Sequence, residues 1–356
     1  MVEQTTGGMG SNGDAGDGDS MIGRLLGGKY EIMALLGAGG FGAVYKAEQA
    51  PVGRIVAIKV IRANARDDSE LRARFLREAR SVARLKSPHI VTLYDYGDES
   101  DGLLYMVFEY VDGTPLDDLI KKRGPIEVQR ALTLTIQVLE ALSEAHEYGI
   151  VHRDLKPANI MISKGAWGVD VARVLDFGIA KGKDSAESTR AGQLKGKMNY
   201  LPPEVVMGQP ASVQADVYAA AVVLWEMLTG RRLFEVRRGE AQVDVLPDIL
   251  QKEVLPPSRY AEGVSAELDA VVLTGLHRDL SARYPSATAF MDALDAVLEP
   301  ATAKALSQWV WQRADGGWRG YVSSYDACNA ACIASMLRAC SYSSLMISVN
   351  LMLHLL

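Results

Sequence analysis

The chain predicts an α+β fold of two lobes, a small β-rich N-lobe followed by a larger α-helical C-lobe. Two observations carry this. Up to about residue 110 the apolar residues gather in short runs rich in Val, Ile and Tyr, punctuated by Gly and Pro, and from Pro125 onward they recur at helical spacing. A third observation concerns chemistry: the carboxylates, amide and lysines of distinctive spacing fall between these two textures.

Residues 1–27 are rich in Gly, Asp and Ser and lack an apolar stretch, so they read as a disordered leader and not as a secretory signal. The folded domain is expected over 28–300. Tyr30–Leu36 reads as a strand interrupted by a glycine cluster. Val44–Ala47 and Ile55–Val60 read as two more strands, with a turn at Pro51-Val52-Gly53 between them. A helix is expected over Ser69–Leu85, ending before Pro88, and strand-like runs over Ile90–Tyr96 and Leu103–Tyr110. Beyond Pro125, Leu132, Ile136, Leu139, Leu142 and His146 keep a helical period that Gly149 stops. Asp216–Leu228 is apolar nearly all round, the mark of a helix buried mid-domain. An amphipathic helix over Ala287–Leu298 and then Pro300 close the domain. The remainder, 301–356, is read as an irregular extension. Its last residues from Ala339 form an apolar run near the lower limit for crossing a bilayer, broken by Asn350 and His354, so a weak membrane anchor is the second reading.

With 356 residues, 48% of them hydrophobic and 23% charged, the chain has the composition of a soluble globular protein. A net charge of −6 argues against a nucleic-acid binder working through a broad basic face. Cys328, Cys332 and Cys340 all lie in the tail without paired spacing, which offers neither a disulfide framework nor a structural zinc site. A cytoplasmic location fits.

Four motifs carry chemistry. Gly37-Ala38-Gly39-Gly40-Phe41-Gly42-Ala43-Val44 supplies glycines that let backbone approach phosphates without side-chain clashes. Lys59 stands in the apolar strand Val56-Ala57-Ile58-Lys59, where an ammonium is costly unless an anion meets it. Glu78 is the one carboxylate on the stripe Leu71, Phe75, Glu78, Val82, Leu85, so a Lys59–Glu78 pair is expected. His152-Arg153-Asp154-Leu155-Lys156-Pro157-Ala158-Asn159 offers a carboxylate to orient a hydroxyl, a lysine and a metal-binding amide. Asp176-Phe177-Gly178 adds a second carboxylate for metal ions that bridge phosphates. This is the equipment of phosphoryl transfer, in which positioning and charge neutralisation supply most of the catalysis.

In this order, from Tyr30 to Leu298, the motifs resemble the eukaryotic-like Ser/Thr protein kinase family, especially its bacterial members. The resemblance implies the kinase fold, ATP with Mg²⁺ (or Mn²⁺) as cofactors, and protein Ser/Thr hydroxyls as acceptors. It assigns catalytic roles to Asp154, Lys156, Lys59 and Glu78. It assigns nucleotide contacts to Gly37, Gly39, Gly42, Val44, Ala57, Lys59, Glu109 and Val111, the last two at a hinge behind which Phe108 walls the pocket. It makes Asn159 and Asp176 the metal ligands. Gly196–Glu204 resembles the segment that closes the family's activation segment. Glu204 is then expected to pair with Arg283, and Asp216 to hold the catalytic-loop backbone.

Three features depart from the family's pattern. Lys197 replaces a common threonine, Pro202 stands for alanine, and Ser163–Asp170 forms a lengthened exposed hairpin. Arg153 suggests control by autophosphorylation at Ser188 or Thr189, and so a place in signalling. The competing readings are a nucleotide-binding pseudokinase scaffold and a small-molecule phosphotransferase.

Overall fold

The computed structural model describes residues 21–39, 42–61, 69–165, 168–177, 198–235 and 242–298. The N-terminal leader, the expected phosphosites Ser188 and Thr189, Lys197 and the tail from Ala301 all lie outside the described residues. One unit spans Met1–Val297, and the second, Leu298–Leu356, is described only at its first residue. No helix among the described residues is long and apolar enough to cross a membrane.

The N-lobe is a six-stranded sheet of order β1-β2-β3-β4-β6-β5. Its strands are β1 Leu25–Leu26, β2 Tyr30–Gly39, β3 Gly42–Gln49, β4 Arg54–Ile61, β5 Leu93–Asp98 and β6 Leu104–Glu109, with every neighbouring pair antiparallel. Side chains alternate between the two faces of a strand. Ala43, Tyr45 and Ala47 of β3, Val56, Ile58 and Val60 of β4, and Tyr105 and Val107 of β6 therefore share one face, and they pack with Leu26, Tyr30 and Ile32 as the lobe's core. Burying each large member stabilises the fold by roughly 1.5–3 kcal/mol. Helix α1, Ser69–Val82, buries Phe75, Ala79 and Val82, and the Phe75 ring meets Tyr96 edge-on at 6.5 Å between centroids.

The N-lobe departs from expectation in two places. Order begins earlier than residue 28, because Leu26 is fully buried, β1 pairs with β2, and Gly23 N–H donates to Ile32 C=O at 2.8 Å. The strand expected over Ile90–Tyr96 starts instead at Leu93. Ile90 bridges to Val174, and Val91 N–H donates to Val174 C=O at 3.1 Å, so these apolar residues tie the first lobe to the second.

The C-lobe opens with β7, Thr114–Pro115, and α2, Leu116–Arg123. Helix α3, Val128–Glu147, starts where the Glu127 carboxylate accepts the N–H groups of Gln129 and Arg130, which satisfies two orphan donors. It ends before Gly149, whose φ of 71° suits glycine. β8, Ile160–Lys164, and β9, Asp170–Val174, form the expected hairpin. The short α4, Pro203–Val206, precedes α5, Val213–Thr229. Every residue of α5 from Ala215 to Thr229 is buried, as its all-round apolar sequence requires, because α3 and the later helices α7, Ala266–Gly275, and α8, Ala287–Val297, pack around it. A short α6, Leu246–Gln251, lies between.

Candidate active site

The sheet face opposite the N-lobe core carries the predicted nucleotide contacts. Val44 sits directly across from Lys59, Lys59 across from Met106, and Ala57 across from Phe108. Cross-strand partners point to the same side, so Val44, Ala57, Lys59, Met106 and Phe108 form one surface. Glu109, expected at the hinge, ends β6, with its N–H donated to Thr92 C=O at 2.9 Å, and Val111 follows in the connection to β7.

The glycines of the loop differ in what holds them. A Cβ on Gly42, at φ 146°, would lie 1.9 Å from the Val60 carbonyl oxygen, so glycine is demanded there by the close approach of β4. Gly37 has nothing within 4 Å of such a Cβ, and no packing in the described residues accounts for it. Gly39 ends β2, pairing with Gly42.

Lys59 Nζ donates to Asp176 Oδ1 at 2.7 Å, and its side chain is only 14% exposed. Asp176 thus supplies an anion to the strand lysine. Glu78 lies on α1, on the half-buried side between Phe75 and Val82. A lysine in an apolar strand needs an anion, and Asp176 meets that need from the second lobe.

The catalytic loop is keyed to the strand before Asp176 through His152, which is fully buried. Its Nε2 donates to Leu175 C=O at 2.8 Å, which leaves Nδ1 to accept the Asp154 N–H at 3.2 Å. Its ring packs on Phe177 with centroids 4.8 Å apart. Asp154 therefore takes its position from the Leu175–Phe177 segment. Lys156 Nζ reaches Asp154 Oδ2 at 3.3 Å. Asn159 Nδ2 donates to the Asp154 carbonyl at 2.8 Å, which turns the amide oxygen away from that bond.

Two residues here hold a left-handed backbone, Arg153 at φ 62° and Asp176 at φ 56°. Such a conformation costs a non-glycine residue of order 1–3 kcal/mol and persists only where the surroundings fix it. Asp216, at the head of α5 and 1% exposed, supplies that fixing for Arg153. Its carboxylate accepts the His152 N–H at 2.7 Å, the Arg153 N–H at 2.9 Å and His146 Nε2–H at 2.8 Å. The expected role of Asp216 is thus seen, while His146 reads in the sequence only as part of an apolar stripe. A histidine on a buried stripe needs a polar partner, and that was its signal. Glu204 and Arg283 form the expected pair, both buried, in a two-pronged contact at 2.8 and 2.9 Å. Beside Asp154, a small cleft is lined by Leu155, Leu201, Pro202 and Val205.

The donor set suits a nucleotide with a divalent ion. Asp176 and Asn159 present hard oxygen ligands. Among the described residues no three His, Cys, Asp or Glu side chains form a metal cage, so phosphate oxygens would complete the shell.

A sheet lobe joined to a helical lobe, with two carboxylates keyed together through a buried histidine, defines a phosphotransferase class of fold and site. The chain belongs to the protein kinase family, since residues 30–294 match the protein kinase domain. It is 40% identical over 264 residues to the serine/threonine-protein kinase PknB of Mycobacterium tuberculosis, covering 73% of this chain and 41% of that protein. It is 38% identical over 267 residues to PrkC of Bacillus subtilis, covering 75% and 40%, and 36% identical over 287 residues to pkn3 of Myxococcus xanthus, covering 79% and 52%. The chain thus spans about half the length of these curated relatives or less. Among solved structures it resembles the PknI kinase domain of Mycobacterium tuberculosis, with TM-score 0.58 and 26% identity over 77% of this chain and 98% of that one. It also resembles Rad53 1–466 in complex with AMP-PNP, with TM-score 0.59 and 26% identity over 74% and 64%.

Proposed function

We propose that the chain is an ATP-dependent Ser/Thr protein kinase. The observation that carries this reading is the linkage of Asp154 to the Leu175–Phe177 segment through His152, which holds the hydroxyl-orienting carboxylate and the metal-binding carboxylate in one frame. Asp154 accepts the hydrogen of the acceptor hydroxyl and aligns its oxygen on the γ-phosphorus. The new P–O bond forms as the bond to the bridging oxygen breaks, ADP leaves, and the hydroxyl proton passes to Asp154. Lys156, already beside Asp154, offsets charge on the transferred group. Lys59 serves the α and β phosphates. Asp176 and Asn159 would hold Mg²⁺, for which Mn²⁺ can substitute, and the ion's chemistry is neutralisation of phosphate charge. Glu109 and Val111 would meet the adenine through backbone groups.

Protein acceptors, and not nucleic acids, suit the net charge of −6 and the cleft beside Asp154. The names of the curated relatives support serine and threonine as acceptors. Lys59, Asp154, Asn159 and Asp176 are all present in the sequence, and nothing observed favours a scaffold without catalysis.

The test is acceptor class. With labelled ATP and Mg²⁺, the full chain should label a degenerate Ser/Thr peptide library while leaving Tyr-only peptides and small aminoglycoside-like alcohols unlabelled. Label confined to tyrosine or to the small acceptors overturns the reading.

A further inference from the structure

A second buried polar cluster lies outside the catalytic residues. Glu226 of α5 is 1% exposed, and its carboxylate accepts Tyr200 O–H at 2.8 Å, Arg232 Nη1–H at 2.8 Å and Leu233 N–H at 3.3 Å. The same guanidinium bonds the Tyr200 hydroxyl and, through Nη2, the Asp117 carboxylate of α2. Asp117 is also held by Lys121 at 2.5 Å. Alongside, Asn199 Nδ2 donates to Phe234 C=O at 2.8 Å. The loop after α5 thus grips the Met198–Tyr200 turn at two points, and among the described residues Arg232 alone joins that turn to both α2 and α5.

The turn leads directly into Leu201 and Pro202, which line the cleft beside Asp154. The nucleotide-facing residues Val44, Ala57 and Lys59 lie on the sheet of the other lobe, and none of them touches this cluster. We propose that Arg232 is a positioning residue for the protein acceptor: it fixes the Met198–Pro202 wall of the cleft, so acceptor binding depends on it and ATP binding does not. This rests on the kinase reading above.

Two physical points support a role beyond holding the fold together. Arg232 is not buried with its partners, since its side chain is 31% exposed, so truncating it opens no core cavity. Burial also pushes the Glu226 carboxyl up to about 8, opposed by the Leu233 N–H and helped by the Asp117 carboxylate. At neutral pH Glu226 then already carries a proton, so loss of the guanidinium strands no buried charge. A bidentate, planar fork is what reaches three partners at once, and lysine cannot reproduce it.

The experiment measures KM for ATP and KM for one well-labelled peptide from the degenerate Ser/Thr library, using the full chain, Arg232→Ala and Arg232→Lys. The expected result is a peptide KM raised about tenfold or more in Arg232→Ala, with the ATP KM within about twofold of wild type, as the loss of one charged hydrogen-bonded anchor implies. Arg232→Lys should fall between the two, and it carries the test if the alanine variant does not fold. An unchanged peptide KM, or equal rises in both KM values, overturns the proposal. A wild-type chain that labels no library peptide overturns the kinase reading, and this inference with it.

Discussion

Gly42 and Gly37 belong to one glycine run but answer to different constraints. At Gly42 the Val60 carbonyl leaves no room for a Cβ and φ is positive, so Gly42→Ala should lower stability by about 2 kcal/mol or more. At Gly37 the space is open, so Gly37→Ala should leave the melting temperature nearly unchanged while weakening ATP binding by limiting how closely backbone meets phosphate. Thermal melting and nucleotide titration of the two variants separate these outcomes, and equal melting losses would contradict the distinction. Both glycines stood out in the sequence as one motif, but only the register of β3 on β4 reveals that one of them is structural. Lys59 teaches the same lesson. Its place in an apolar strand announced a buried cation in need of an anion, but its contact with Asp176, 117 residues further along the chain, depends on how the lobes meet, which no local pattern encodes.

At the scale of elements, α5 is the post on which the C-lobe's polar network hangs. Asp216 at its head holds the catalytic loop, Glu226 near its end holds the Tyr200 turn, and Arg283 bonds the Gln214 carbonyl while pairing with Glu204. Removing one partner of a fully buried pair strands the other, so Arg283→Ala should cost about 3–5 kcal/mol, as measured by denaturant unfolding. Glu226 makes a pH prediction. Its folded value, about 8, lies above the ordinary glutamate value, so the folded state binds the extra proton between the two. Its contribution is full below the ordinary value and is lost as pH rises through about 8. Relative to the non-titrating Glu226→Gln variant, the wild type should lose at least about 1 kcal/mol of stability between pH 5 and 9. A difference that does not vary with pH would contradict this. The all-apolar run of α5 was plain in the sequence because helical periodicity is local, whereas Arg232 reads there only as one of two adjacent arginines after a glycine.

At the scale of the whole molecule, the division into a β lobe and a helical lobe was legible because strand alternation and helical spacing are local signals. The order of the catalytic motifs was legible because fixed short spacings carry it, as in the five residues from Asp154 to Asn159. Less legible were the contacts that join the lobes. Ile90 and Val91 read as part of a strand, yet they bond to β9 next to Asp176, since an apolar run does not declare which neighbour it will pair with. The short β1 has no sequence signal because two residues carry no period. The central claim is that this frame serves phosphoryl transfer through Asp154. The most direct measurement is incorporation of label from γ-labelled ATP by the full chain beside Asp154→Asn, with nucleotide binding followed in parallel. The account predicts serine or threonine label in the wild type, a loss of at least about 100-fold in the variant, and equal ATP affinity. Equal labelling by both proteins, or no labelling by a wild type that binds ATP with Mg²⁺, would contradict it.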